Sequence, residues 1–420
     1  MDTQAVRSPS TGRPKRSGGL ALLFPLLFLG NVAVYEFLTG TGTLAAFEVG
    51  QLGGPGAWGV VATFAGLSAA LGPPVSGALS DRTRSRFGRR NPWLLGTSLA
   101  TLISVLLLTG APTSVVLIGI GYCVAQTFAY GFHAILTVIV PDRVPREKRG
   151  TASAVSAAGL AVGTVAGTQV AAALSSSSAY LTLGAAVVVG AVLLVAFTRD
   201  PRPEPRLAEA PAVTAAARGP VRRAAGFFSA LAEHDFRWVF VGRTLMSLCY
   251  FMVTAFIVFV LSDYIVLPAG MPVLSAVAAV TLIDTGAAAL AALAGGWLSD
   301  RLQRCKVFVF ASSALFGLSL LIPVLTRSWH LYLVTALLHG IAYGTYLAVD
   351  TSLATLVLAK ARDFGRDLGI INLAQAIPQI AAPAVAAGIV ALGGYRLLFG
   401  AAIAVGLLAA ASVLPIRSVR

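Results

Sequence analysis

Charge is scarce in this chain: Asp, Glu, Lys and Arg make up 11% of its 420 residues, while hydrophobic residues make up 57%. A soluble globular domain carries about 25% charged residues, so a water-exposed globule is excluded and the chain reads as an integral membrane protein. Cysteine is scarce too. Cys123 and Cys249 fall in apolar runs and Cys305 in a basic turn, an odd and scattered set that supports no disulfide framework and no metal site. The four histidines are dispersed, and the chain has no His-Glu-x-x-His, no Cys-x-x-Cys and no phosphate loop. Enzyme chemistry needs a clustered nucleophile and base or a set of metal ligands, so neither catalysis nor a cofactor is expected. Lysine is nearly missing: 27 of the 31 basic residues are Arg, which together with abundant Ala and Gly suits a GC-rich bacterial genome. Met1 to Ser17 is polar and leads straight into a long apolar run without a short hydrophobic core and cleavage site, so no removed signal peptide is read.

What is present is a series of apolar runs, each long enough to cross a hydrocarbon core of about 30 Å. They lie near 20–40, 57–79, 93–110, 115–139, 152–175 and 179–197, then near 238–261, 273–297, 307–326, 330–356, 368–391 and 396–415. The spacing predicts an all-α membrane protein of twelve transmembrane helices in two pseudo-symmetric six-helix bundles. The bundles span 20–197 and 238–415, flanked by tails at 1–19 and 416–420. The segment 198–237 between them opens with Pro and charge and reads as a linker. Its end, Val221 to Trp238, mixes Arg222, Arg223 and Arg237 with Phe227, Phe228 and Leu231, the pattern of a helix lying in the interface.

A net charge of +14 would suit nucleic acid, but its distribution says otherwise. With twelve spans and the N-terminus inside, 29 of the 31 Lys and Arg fall on the N-terminal tail, the even-numbered connections with their helix ends, and the C-terminus; Arg327 and Arg396 are the exceptions. This is the positive-inside pattern. It predicts a bacterial cytoplasmic membrane protein with both termini cytoplasmic and lipid rather than nucleic acid around it; a monomer is the expected assembly.

Gly77-Ala78-Leu79-Ser80-Asp81-Arg82 recurs as Gly296-Trp297-Leu298-Ser299-Asp300-Arg301, each copy closing an apolar run and opening a basic turn. A repeat at half the chain length on an apolar background is a mark of carriers that rock one half against the other. The first copy extends through Ser85-Arg86-Phe87-Gly88-Arg89-Arg90-Asn91-Pro92, and Val140-Pro141-Asp142-Arg143-Val144-Pro145 follows span four. Together these resemble the major facilitator superfamily, in particular its glycoside-pentoside-hexuronide and sucrose transporter branch, whose loop reads S-D-R-x-x-S-R-F-G-R-R-x-P. The resemblance implies a gating role for Asp81, Arg82, Arg89 and Arg90, and for Asp300 and Arg301 in the second copy. Asp81 would meet a helix N-terminus and nearby Arg and hold the cytoplasmic side closed, a contact worth about 0.3 to 2 kcal/mol depending on burial. The melibiose type of that branch holds sodium with acids on helices two and four, whereas 57–79 and 114–139 contain no Asp or Glu here, which disfavours sodium coupling.

A second repeat points to the solute. Aligning Tyr130-Gly131 with Tyr343-Gly344 sets Gln126, Tyr130, His133 and Thr137 opposite His339, Tyr343, Tyr346 and Asp350, at identical offsets. Those offsets trace one helix face running about 16 Å. A lipid-facing stripe would strand its polar groups in hydrocarbon, so both are expected to line a central cavity; interhelical hydrogen bonding is the plainer alternative. Asn31, Tyr35 and Tyr250 complete the expected solute-binding set.

Ionisable residues inside spans cost about 2.5 to 3.5 kcal/mol on insertion scales and are functional candidates by default. Glu36 in span one, Asp284 with Thr281 and Thr285 in span eight, and Asp350 in span ten are the candidate proton carriers. Arg243 in span seven, on one face with Ser247, Tyr250 and Thr254, is the expected partner of Asp350 in a gating salt bridge. The expected function is proton-coupled transport by alternating access of a small polar solute such as a sugar or glycoside. The alternative is proton-driven export of a drug or natural product, which the apolar and aromatic stretch Phe251 to Phe259 would suit.

Overall fold

The computed structural model describes residues 18–83, 85, 87–110, 113–198, 231–302, 304–358 and 364–416. Every apolar run in that set is helical, as hydrocarbon requires: with no water to bond, a spanning backbone must satisfy its N–H and C=O groups internally. The first half comprises Gly18–Arg82, Asn91–Thr109, Val115–Arg143, Arg149–Ala173 and Ser176–Phe197. The second comprises His234–Thr254 with its continuation to Tyr264, then Val273–Leu302, Cys305–Ser319 with Leu321–Leu325, Trp329–Leu358 and Phe364–Ala411. The two longest helices each contain two spans. Gly18–Arg82 turns at Gly54 (φ 70, ψ −172) and Phe364–Ala411 at Gly394 (φ 68, ψ −168), a region of backbone space open essentially to glycine alone. Twelve spans result, in two sets of six. Among the described residues the only β-type pairing is the bridge between Val266 and Ser328. The expected interfacial helix lies largely outside the described residues, as do most of both tails; the described second half begins with a short turn at Leu231.

Two ends of the bundle can be told apart by charge. The basic end carries Arg89, Arg90, Arg143 and Arg149; the far end carries the turns at Gly54 and Gly394. Span seven is interrupted in its far half, where Ala255 and Phe256 leave the helix before Ile257–Phe259 and the wider π turn Val260–Tyr264. Such breaks are tolerated at membrane depth only where protein covers the freed groups. Here the Ala255 carbonyl accepts the indole N–H of Trp58 from the other half, at 2.7 Å.

The halves meet along three seams. Span two crosses span eleven where Gly59 faces Ala387 and Gly66 faces the backbone of Gln379 and Ile380, and span five packs on span eight. At the far end Gly50 of span one lies against the ring of Phe259. Two hydrogen bonds join the halves among the described residues: Trp58 to Ala255, and Gln379 Nε2 to the Tyr130 hydroxyl at 3.3 Å.

Candidate functional site

Between the halves, on the far side of mid-depth, lies a cavity of about 270 Å³. Spans one, two and five supply one wall through residues such as Leu38, Thr43, Trp58 and Thr168, while spans seven to ten supply the other. Trp58, buried and bonded to Ala255, forms part of its far-end wall.

Asp284 lies in this wall, eleven residues into its helix and therefore about 16 Å along it. Its Oδ1 is 2.6 Å from Nδ1 of His339 on span ten. The register that makes this contact possible comes from Gly340 and Gly344: a Cβ on either would run into the backbone of span eight, at Asp284 and Ala288 respectively. Around the imidazole, Phe316 lies 4.1 Å away between ring centroids and Tyr250 5.9 Å away in a stacked orientation. Tyr250 in turn stacks on Tyr343 at 3.9 Å.

Eight threonines line the cavity, and five of them spend their protons at home. Thr39, Thr43, Thr254 and Thr335 donate to the carbonyl four residues earlier, and Thr168 to that of Val165, at 2.7 to 3.2 Å. A carbonyl can only accept, so each of these hydroxyls presents the cavity with a methyl group and oxygen lone pairs.

Of the residues expected to bind solute, Tyr250 and His339 line this cavity and Asn31, Tyr35, Gln126, Tyr130, His133, Tyr343 and Tyr346 do not. The two matched stripes have different neighbours. On span ten only His339 reaches the cavity; Tyr343 is covered by Tyr250, and Tyr346 and Asp350 sink among Trp238, Arg243, Val309 and Ser313 inside the second half. On span four Gln126 is buried with no donor reaching its Oε1, Tyr130 meets Gln379, and His133 meets Tyr35, whose hydroxyl is 3.4 Å from Nε2. Thr137 is exposed. Asn31 donates to the Leu27 carbonyl within its own helix at 2.8 Å. Helical spacing aligns the residues of each stripe, and in this structure other side chains lie between most of them and the cavity.

Of the candidate proton carriers, Asp284 is in the cavity wall and Glu36 and Asp350 are not. Glu36 is partly buried where span five presses on span one at Gly163 and Gly167. Asp350 is almost fully buried, its Oδ2 3.2 Å from Nη1 of Arg243.

At the basic end Arg90, 4% exposed, bridges two carboxylates: Nη1 lies 2.8 Å from Asp81 and Nε 3.1 Å from Asp142. Arg89 reaches the same pair at 3.9 and 3.2 Å. All four residues belong to the first half, so these ion pairs fasten the two-three loop to the end of span four. Arg82 is exposed, and Arg301 lies over the Trp297 ring at 5.3 Å. The side chain of Asp300 lies outside the described residues.

Sequence reasoning passed over Trp58, Tyr332 and most of the threonines. A usable signal existed: Thr39 and Thr43, Thr164 and Thr168, Thr281 and Thr285 are all pairs four apart, placing two hydroxyls on one face of each of three spans.

The sequence matches the model of the Major Facilitator Superfamily over residues 27–287 and 274–419. No curated protein matches it. Among solved structures, a mutant of the nucleoside transporter NupG is 14% identical with a TM-score of 0.75, the alignment covering 95% of this chain and 99% of that one. A bacterial homologue of the human lysosomal transporter Spinster, inward-facing and unoccupied, is 16% identical with a TM-score of 0.62, covering 97% of this chain and 95% of that one. At these identities the likeness is one of fold.

Proposed function

Because the chain belongs to the Major Facilitator Superfamily, we propose that it is a proton-coupled secondary carrier working by alternating access, with the cavity around Asp284 as its solute site. One observation carries this reading: a single cavity walled by both halves contains a carboxylate bonded to an imidazole. A wall shared by two bodies changes its access whenever they rock, and a carboxylate in that wall is a group whose proton can be exchanged with whichever side is open. The titratable neighbours of Asp284 are His339, Tyr332 and Tyr343 on span ten and Tyr250 on span seven. The basic end would face the cytoplasm, by the distribution of Arg.

The composition of the wall favours a solute with an apolar or aromatic body over a saccharide. No side-chain amide lines the cavity, nearly half its residues are aliphatic or Trp, and five of its eight threonine protons are already spent. A sugar needs donors and acceptors together, and each unpaired hydroxyl costs about 1 to 3 kcal/mol. This supports a drug or natural product ahead of a sugar as the solute. Purified protein in liposomes under an imposed pH gradient tests both, with methyl glycosides and aromatic natural products as the two panels. Gradient-driven flux of an aromatic compound, lost in Asp284→Asn, is the expected result; flux of the glycosides alone would reverse the choice, and no gradient-driven flux of either would end the coupling proposal.

A further inference from the structure

The wall of the cavity also bears on the charge of its solute. Asp284 is the one acidic side chain lining it, and no Lys or Arg lies among the lining residues. Arg243 in the same half is held by Asp350 outside the cavity. One imidazole, that of His339, meets the Asp284 carboxylate. Its Nδ1 points at the carboxylate, while its Nε2 is buried with no partner. The carboxylate thus stands in a largely apolar wall with no Lys or Arg in the lining, and 22% of its side chain is exposed. A buried charge of that kind is costly until a counter-charge arrives.

The hydrogen-bonding inventory points the same way. Beside the carboxylate, the cavity offers the lone pairs of Thr39, Thr43, Thr168, Thr254 and Thr335, whose protons are committed to the backbone. Thr164, Thr281 and Thr285 add hydroxyls that can donate or accept, so acceptor positions outnumber donors and the wall suits a ligand rich in donors. An ammonium group has three donors and no acceptor, and aromatic faces such as those of Tyr250, Tyr332 and Trp58 suit both a cation and an apolar body. We infer that this cavity takes a small organic cation, a protonated amine on an apolar or aromatic body, held by Asp284 and the threonine oxygens. The inference rests on the reading of this cavity as the solute site.

Equilibrium binding to the purified full-length chain in lipid nanodiscs, without any gradient, tests it. The probes are 2-(1-naphthyl)ethylammonium and its neutral isostere 2-(1-naphthyl)ethanol at pH 7. The ammonium should bind at least tenfold more tightly than the alcohol; Asp284→Asn should erase the difference and Asp284→Glu should keep most of it. Equal affinities, no detectable ammonium binding, or a preference that survives Asp284→Asn would each overturn the inference. Should Asp284→Asn fail the thermal unfolding control, Thr254→Val with Thr335→Val removes two acceptor oxygens without orphaning a donor. That variant should weaken ammonium binding severalfold and leave the alcohol unchanged, and an unchanged ammonium affinity overturns the inference. A cation preference without proton-driven flux would count against the coupling proposal alone, while proton-driven flux of a neutral solute with no preference would count against this inference alone.

Discussion

The indole N–H of Trp58 in the first half donates, at 2.7 Å, to the carbonyl of Ala255 in the second, at the point where span seven leaves its helix. One hydrogen bond thus closes the far wall of the cavity and satisfies a carbonyl that the broken helix cannot. Trp58→Phe keeps the ring and loses the donor. With a net worth of about 1 kcal/mol per hydrogen bond, the far end should open about fivefold more often. Labelling of Thr335→Cys by a membrane-impermeant maleimide, in a background with Cys123, Cys249 and Cys305 changed to Ser, reads that opening. An unchanged rate would remove the bond from the seal.

Asp350 and Arg243 form a pair whose side chains are 5% and 16% exposed. Removing one partner leaves the other charge buried, so Arg243→Ala should destabilise the protein by about 3 to 5 kcal/mol. Arg243→Met combined with Asp350→Leu should recover most of that loss in thermal unfolding. If the double variant is stable yet transports nothing, the pair serves the transport cycle as well as the fold.

Gly340 sits where span ten touches span eight, and an added Cβ would collide with the carbonyl oxygen of Asp284. Gly340→Ala should therefore cost about 1 to 3 kcal/mol through overpacking. It should also part His339 from Asp284 and weaken solute binding. Gly286→Ala, on span eight two residues from Asp284 and with nothing near its missing Cβ, is the matched control and should change neither.

Arg90 contacts two carboxylates with different nitrogens of one planar group, which a lysine cannot imitate. Arg90→Lys should loosen the loop between spans two and three by about 1.5 to 3 kcal/mol, the worth of a hydrogen bond to a charged group. Faster proteolysis within that loop, with solute affinity preserved, is the expected outcome. A change in affinity without any change in proteolysis would contradict it.

Much of the architecture was legible in the sequence because the bilayer leaves few choices: long apolar runs must be helices, and the arginines sort the connections. The cavity was only half legible. Asp284 and His339 each stand out as polar residues in apolar spans, but their pairing depends on how closely spans eight and ten approach, which Gly340 and Gly344 set. The stripe His339, Tyr343, Tyr346 and Asp350 does lie along one helix, and periodicity says nothing of what covers a face; a stacked ring at 3.9 Å took Tyr343 out of reach. The break at Ala255 had no Gly or Pro to announce it.

The tight glycine turns, at Gly54 and at Gly393-Gly394, have a mechanical consequence. Each leaves almost no slack between the two spans it joins, so spans one and two, and likewise eleven and twelve, are hinged like the legs of a compass with the pivot at the far end. Their tips cannot part there. Any far-side doorway must form between compasses, along the line from Gly50 and Trp58 to Phe259 and Ala255, which makes those four residues the width gauge for what can pass.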